Sequence, residues 1–222
     1  MFKLLTKSNN KTIKGEARRY MTFVLHLAPA DRSGKNVCAK ASPGCRLACL
    51  NTAGRGQMNS VQTARIRKTV AFFTDRAQFI ADLKDDIRRA AMYAYKRGFI
   101  PAFRLNGTSD IPWEKYGVIQ SFPTLQFYDY TKILGRKVAE LANYHLTFSR
   151  AENNDRDVQR ALAAGMNVAV VYDTIPAGVY SADEDDLRFL DPPVGIVGLK
   201  AKGRAKKDTT GFVVRTVDKL AA

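Results

Sequence analysis

A chain of 222 residues, 45% of them hydrophobic, is long enough to bury a core without disulfide bonds. It has no apolar run near the ~20 residues of a membrane span and no signal-peptide pattern, so we expect a cytoplasmic protein. The 36 Lys and Arg residues outnumber the 21 Asp and Glu residues, which gives a net charge of +15. This excess is typical of proteins that bind nucleic acid, but a highly charged solvated surface explains it equally well.

Short runs rich in β-branched and aromatic residues alternate along the chain with segments of helical periodicity. The predicted strands are 21–27, 100–105, 124–130, 145–149, 167–172 and 194–199. The predicted helices are 59–73, 75–97, 112–120, 132–142 and 155–164. Alternating strands and helices are typical of α/β proteins with a parallel sheet, either open or closed into a barrel.

No repeat, low-complexity tract or linker divides the chain, so we predict one domain over residues 1–222. Its βα core spans 20–214 and contains a cysteine loop at 31–56. Basic segments lie at both ends, over 1–19 and 200–222.

All three cysteines lie within twelve residues, in the stretch N-V-C-A-K-A-S-P-G-C-R-L-A-C-L. An odd number of clustered thiols in a reducing compartment favours a metal or cluster site over disulfides. Cys38, Cys45 and Cys49 are spaced C-x6-C-x3-C, which lacks the C-x2-C pairs of zinc ribbons. Because a [4Fe–4S] cluster is wider than a zinc ion, it tolerates this spacing better, and we predict a cluster with zinc as the alternative.

Three cysteines leave one iron of a four-iron cluster without a thiolate ligand. That iron is then open to a cofactor or substrate, or is closed by a side chain other than cysteine. The candidates for such a closing ligand are Asp31, His26 and Asp129.

Polar residues follow each predicted strand, and the carboxyl ends of parallel strands meet at one edge of a sheet. The candidates for binding a cofactor are Asn106, Ser109, Asp110 and, at the head of a basic run, Lys200. The candidates for proton transfer or for gripping an anion are Asp129, Lys132 and Arg150.

Several of these residues also fit purely structural roles. Asp110 suits a helix N-cap, and Lys132 an ion pair. Ser149 and Glu152 have the spacing of a capping box, which we favour for that pair. The acidic run 183–186 fits a solvated turn better than a divalent-ion site, and Trp113 a packing residue.

The runs L-A-P-A-D-R-S-G-K-N-V-C, R-L-N-G-T-S-D-I-P-W-E, Y-D-Y-T-K, N-Y-H-L-T-F-S-R-A-E and V-G-L-K-A-K-G resemble the gene product 88 family of tailed phages. The resemblance covers about residues 20–214. It implies a phage or prophage protein that works in the host cell cytoplasm. The family brings no established activity.

A looser similarity is to radical S-adenosylmethionine (SAM) enzymes, which carry three cluster cysteines on the loop after the first strand of a partial (β/α)6 barrel. It implies a parallel, TIM-like partial barrel, SAM as a second cofactor, and Asn106–Asp110 in the place of a SAM-binding stretch. The chain departs from that family's usual C-x3-C-x2-C spacing and lacks its Gly-Gly-Glu.

Three functions remain open. The first is an iron–sulfur enzyme of the radical SAM type that acts on nucleic acid or a nucleotide. The second is a non-catalytic iron–sulfur protein that binds nucleic acid or a host protein. The third is a zinc-stabilised DNA-binding domain.

Overall fold

The computed structural model describes residues 3–7 and 13–216, which form a mixed α/β fold around a mostly parallel sheet of eight strands. The strands are β1 (Leu5–Thr6), β2 (Tyr20–Leu25), β3 (Ile100–Arg104), β4 (Gln126–Thr131), β5 (Tyr144–Ser149), β6 (Val168–Tyr172), β7 (Tyr180–Ser181) and β8 (Ile196–Lys200). The α-helices are α1 (Pro43–Leu47), α2 (Asn59–Thr74), α3 (Arg76–Tyr95) and α4 (Asp155–Ala163). Residues 1–2, 8–12 and 217–222 of the predicted basic segments lie outside the described residues.

The strand order is β1-β2-β3-β4-β5-β6-β8-β7, so the sheet is open and nearly sequential. Strands β2 to β6 and β8 pair in parallel, while β1 pairs antiparallel with β2 at one edge. Six parallel strands therefore end along the same edge of the sheet, which we call the carboxyl edge. Within the described ranges, none of the helices combines the length and apolar character that a membrane crossing requires.

The six predicted strands and the helices predicted over 59–73, 75–97 and 155–164 are confirmed, with bounds shifted by at most two residues. The helix expected over 132–142 is wrong, because this segment consists of turns and bends. The Lys132 amide donates to Asp110 (2.8 Å) and the Ile133 amide to the Thr131 hydroxyl (3.0 Å), and Gly135 adopts a left-handed φ of 70°. Side-chain acceptors thus replace the helical hydrogen bonds.

The helix expected over 112–120 is reduced to one 3-10 turn, Trp113–Tyr116. Gly117 ends this turn with φ of 65°. Trp113 is fully buried and packs edge-on against Phe72 of α2, so its predicted role in packing is confirmed.

One face of the sheet carries the main hydrophobic core. Phe103 of β3 stacks between Phe23 of β2 and Phe127 of β4, with ring centroids 5.6 and 5.4 Å apart. Helices α2 and α3 cover these rings with Phe72 and Phe79. The chain between β2 and β3 therefore lies across this face of the sheet.

The opposite face of the sheet carries buried polar side chains. Arg104 of β3 donates to both carboxylate oxygens of Asp186, at 2.9 and 3.2 Å, and the Tyr128 hydroxyl lies 3.2 Å from the same group. Because Asp186 is only 3% exposed, it does not belong to a solvated turn, and that expectation is wrong for this residue. Its neighbour Asp185 pairs with Arg188, which is also buried.

We predict that Asp186→Asn lowers the free energy of unfolding by about 3–5 kcal/mol, because it leaves the buried charge of Arg104 without its carboxylate partner. Urea unfolding followed by circular dichroism measures this change. Glu184→Gln is the matched control in the same acidic run, since Glu184 is exposed; it should change stability by less than about 0.5 kcal/mol. Equal effects of the two variants would contradict the pairing.

Candidate functional site

The cysteine loop packs over the carboxyl edge of the sheet. After β3, the carbonyl of Thr108 accepts a hydrogen bond from the Cys38 thiol, with 3.7 Å between sulfur and oxygen. After β8, Gly203 lies so close to the loop that a Cβ there would sit 2.9 Å from the Cβ of Ala53. The loop thus lies where polar strand ends had been predicted to gather.

Glu152, just after β5, fastens the loop to the sheet. Its carboxylate accepts hydrogen bonds from the Ser42 hydroxyl (2.6 Å) and the Gly44 amide (2.7 Å). Ser42 caps α1 by accepting from the Cys45 amide at 3.1 Å. A Cβ on Gly44 would lie too close to the Thr210 hydroxyl and 2.8 Å from the Glu152 carboxylate, so any larger residue there would displace these side chains. We call this set of contacts the Glu152 clamp.

The capping box predicted for Ser149 and Glu152 is therefore wrong. Helix α4 begins at Asp155, three residues after Glu152, with Asn154 at its N-cap. The Ser149 hydroxyl instead accepts a hydrogen bond from the Lys132 ammonium at 2.8 Å. Partial burial raises the pKa of Glu152, but the bonds from Ser42 and Gly44 outweigh it and lower the pKa overall.

The three cysteines are free thiols, each partly buried. Burial raises the pKa of Cys38 to about 12, although the Ala30 amide donates to its sulfur at 3.4 Å; the nearby thiols of Cys49 and Cys45 raise it further. Burial also raises the pKa of Cys49, and Cys45 adds to that shift. The thiols of Cys45 and Cys49 are thus close enough to Cys38 to influence its charge, and burial keeps the thiols of Cys38 and Cys49 protonated at pH 7. Buried neutral thiols are poor nucleophiles, so the geometry does not favour cysteine-based covalent catalysis.

The fit of this region to a metal differs between a single ion and a cluster. Among residues 3–7 and 13–216, no three His, Cys, Asp or Glu side chains converge closely enough to hold one metal ion. A zinc tetrahedron is therefore not formed by the side chains as they stand. The C-x6-C-x3-C spacing of the sequence suits the larger cluster better than a single ion.

The candidates for a fourth ligand differ in how freely they can bind. Asp31 is exposed and pairs with Arg46 at 3.1 Å. Asp129 is fully buried and already accepts hydrogen bonds from Asn106 and Tyr144. His26 lies at the end of β2, and its buried Nδ1 has no hydrogen-bond partner in the described part of the chain.

Burial, helped by cationic neighbours, keeps the imidazole of His26 neutral. Burial lowers its pKa to about 3, and the charges of Arg65, Arg104 and Lys68 lower it further. A neutral imidazole is the form that binds metals. Of the three candidates for a fourth ligand, His26 is the one whose donor atom is free.

The candidate residues after β3 and on β4 form a buried network. The amide of Asn106 donates to Asp129 at 2.6 Å, and its side-chain NH2 donates at 3.1 Å. The side-chain oxygen of Asn106 accepts from the Ser109 hydroxyl (2.8 Å) and the Trp113 indole (3.2 Å). Burial raises the pKa of Asp129 to about 7, although the Asn106 amide and Tyr144 hydroxyl work against this. These contacts hold the ends of β3 and β4 together.

The remaining candidates are also engaged in contacts within the protein. Asp110 accepts from the Thr131 hydroxyl at 2.8 Å, so it is not a helix N-cap. Arg150 donates to the carbonyls of Gly211 (2.5 Å) and Phe212 (3.2 Å) and holds the C-terminal segment. Lys200 is exposed at the end of β8. Catalytic and cofactor-binding roles for these residues stay predictions.

Two features of the site were missed from the sequence. The first is the Glu152 clamp, whose partners are about a hundred residues apart. The second is the support of the loop by α2, where Arg65 and Gln62 hydrogen-bond to Asn51. The only available signal was the position of Glu152 directly after a strand.

A family model described as gene product 88 matches residues 3–216. The chain belongs to the gene product 88 family. The match confirms the phage family that the sequence motifs resembled, while the similarity to radical SAM enzymes finds no such support. No curated protein and no solved structure matches the chain. Membership of the gene product 88 family therefore says where the chain comes from but not what it does.

We predict that the Glu152 clamp makes docking of the cysteine loop pH-dependent. Because the folded-state pKa of Glu152 lies below its usual 4.5, the clamp stabilises the fold above pH 4.5, and that stability is lost as the pH falls through the lowered pKa. The melting temperature of Glu152→Gln should lie below that of the wild type at pH 7 and approach it in acid.

Gly44→Ala gives an independent check on the clamp, since the added methyl group displaces the carboxylate. Both variants should make the thiols react faster with a disulfide reagent, and Ser33→Ala, elsewhere on the loop, should not. Unchanged thiol reactivity in both clamp variants would contradict this role of Glu152.

Proposed function

We propose that this gene product 88 chain is an iron–sulfur protein whose Cys38, Cys45 and Cys49 bind a [4Fe–4S] cluster in the reducing cytoplasm of the phage host. The observation that carries the proposal is the clustering of three free thiols on one loop, which Glu152 clamps to the carboxyl edge. Structural cysteines without a ligand would not need such a loop. The C-x6-C-x3-C spacing suits a cluster better than zinc.

The residues around the thiols suit bound thiolates. The Ala30 amide already donates to Cys38, and the backbone N–H of Asn51 acts on Cys49 in the sense that favours its thiolate. The guanidinium of Arg65 adds a positive charge near Cys49. Such N–H groups and charges stabilise ligated sulfur and tune the reduction potential of a cluster. Loading must release protons, because burial keeps the free thiols protonated.

A radical SAM-type enzyme is the second candidate, and the strand order favours it. Six parallel strands in nearly sequential order, with the cysteine loop after β2, are compatible with a partial (β/α)6 barrel. A reduced cluster held by Cys38, Cys45 and Cys49, with one iron free of protein ligands, would be able to donate an electron to a bound cofactor such as SAM. However, the groups of Asn106, Ser109 and Asp110 that would hold SAM are already hydrogen-bonded within the protein.

These satisfied contacts favour the non-catalytic alternative, in which the cluster braces the loop and the protein binds a partner. His26 then acts as the candidate fourth ligand, since its Nδ1 is unpartnered. A zinc-stabilised DNA-binding domain is the weakest alternative, because the side chains in the described part of the chain do not form a single-ion site.

We predict that anaerobically purified protein contains about four irons and four sulfides per chain and little zinc. Replacing all three cysteines by serine should abolish iron binding, while Ser33→Ala on the same loop should retain it. Elemental analysis and acid-labile sulfide assays measure this. Zinc alone, or iron that persists in the serine variant, would overturn the proposal.

Added SAM separates the enzyme from the non-catalytic protein. Electron paramagnetic resonance of the reduced protein should change with SAM if an iron is open. An unchanged spectrum that does change in His26→Ala would identify His26 as the ligand that closes the cluster. In that case the radical SAM candidate fails and the iron–sulfur proposal stands.

A further inference from the structure

A concentrated band of positive charge borders the cysteine site, and we call it the basic rim. It consists of the cations in residues 31–56 and 200–207, which contain one acidic residue, Asp31, between them. Its members are Arg32, Lys35, Lys40, Arg46, Arg55, Lys200, Lys202, Arg204, Lys206 and Lys207. All of them are exposed except Lys202, which is partly buried.

The fold brings the two halves of the rim together. Residues Leu50–Thr52 pack against the 3-10 turn Gly203–Lys207, although about 150 positions separate them in the sequence. The close approach of Gly203 to Ala53 fixes this contact. The basic residues of the cysteine loop and those of the C-terminal segment are far apart in the sequence, but the fold places the two segments side by side.

Few of these charges are neutralised by the protein. Arg46 pairs with Asp31 at 3.1 Å and Lys202 with Asp183 at 3.2 Å. Within the described ranges, Arg204, Lys206 and Lys207 have no carboxylate partner. A cluster of unpaired, solvated cations attracts an anion at little desolvation cost and repels itself without one.

We infer that the basic rim binds the phosphate backbone of a nucleic acid and places it beside the cysteine site. The rim cations are spread along exposed loops, which suits a long polyanion with evenly spaced charges. Leu47 and Leu50 are 59% and 52% exposed between these cations and offer apolar contacts to bases or sugars. Binding of nucleic acid to the rim does not require the cluster. The inference rests on the proposed function only for the claim that the bound nucleic acid would lie beside an iron–sulfur cluster.

The rival surface is a groove of about 360 Å³ along α3, lined by Arg88, Arg89, Met92, Tyr93, Lys96 and Arg97. Two of its cations are already engaged by carboxylates, since Arg88 contacts Asp85 and Arg89 contacts Asp86 at 2.8 Å. The guanidinium of Arg97 lies over the Tyr93 ring, 3.7 Å from its centroid. This groove has less free charge than the rim and supplies the control.

The test compares two variants with the same loss of charge. The rim variant is Arg204→Gln, Lys206→Gln and Lys207→Gln, and the α3 variant is Arg88→Gln, Lys96→Gln and Arg97→Gln. Binding of short fluorescent single-stranded and duplex DNA is followed by anisotropy between about 50 and 200 mM salt.

The rim variant should weaken binding about tenfold or more at low salt. The plot of log K against log salt should also become less steep by about 2–3, since each lost phosphate contact removes about 0.7–0.9 from the magnitude of the negative slope. The α3 variant should bind within about threefold of the wild type. The inference is overturned if the α3 variant loses as much, if the wild type does not bind DNA, or if the rim variant instead loses binding only to vesicles of anionic lipid.

Iron analysis of the same samples separates this inference from the proposed function. Rim-dependent DNA binding by protein without iron would leave the inference standing and refute the cluster. If the protein contains iron but the rim substitutions do not change its DNA binding, the inference is refuted and the proposed cluster stands. The rim variant should retain the wild-type iron content, because all three replaced side chains are exposed to solvent.

Discussion

The arrangement of the site depends on one charge-assisted interaction, the Glu152 clamp. The Glu152 carboxylate accepts hydrogen bonds from the Ser42 hydroxyl and the Gly44 amide. Both groups lie at the N-terminal end of α1, so they also position Cys45. Hydrogen bonds to an ionised acceptor are about twice as strong as neutral ones. Since Glu152 follows directly after β5, this bond ties the loop to the end of a buried parallel strand. The position of the cysteine loop thus depends on its attachment to the sheet.

The carboxyl edge combines a rigid base with an open, charged border. Beneath the loop, Asn106 and Asp129 satisfy each other and leave few polar groups free for a small cofactor. Around the loop, Arg204, Lys206 and Lys207 of the basic rim are exposed and have no carboxylate partner among the described residues. The cysteine loop and the basic rim therefore lie on the same part of the protein, the loop with the three thiols and the rim with exposed positive charge.

The sequence predicted the parts of the fold that depend on local patterns. The β-branched and aromatic runs gave all six long strands, and periodicity gave α2, α3 and α4. The pattern over 132–142 failed because Asp110 and the Thr131 side chain take the amide protons that a helix would use. Glu152 was misjudged because its partners lie about a hundred residues away, beyond any local signal. The position of the cysteine loop followed from strand order, but its attachment did not.

The most direct test of the central claim is a Mössbauer spectrum of the chain produced with ⁵⁷Fe and kept free of oxygen. If Cys38, Cys45 and Cys49 hold the cluster, the spectrum shows a four-iron cluster in which three irons share thiolate ligation and one is distinguishable. That distinct iron should change when His26 is replaced or when SAM is added. A spectrum of isolated iron ions, or no bound iron in protein whose loop is intact, would contradict the account.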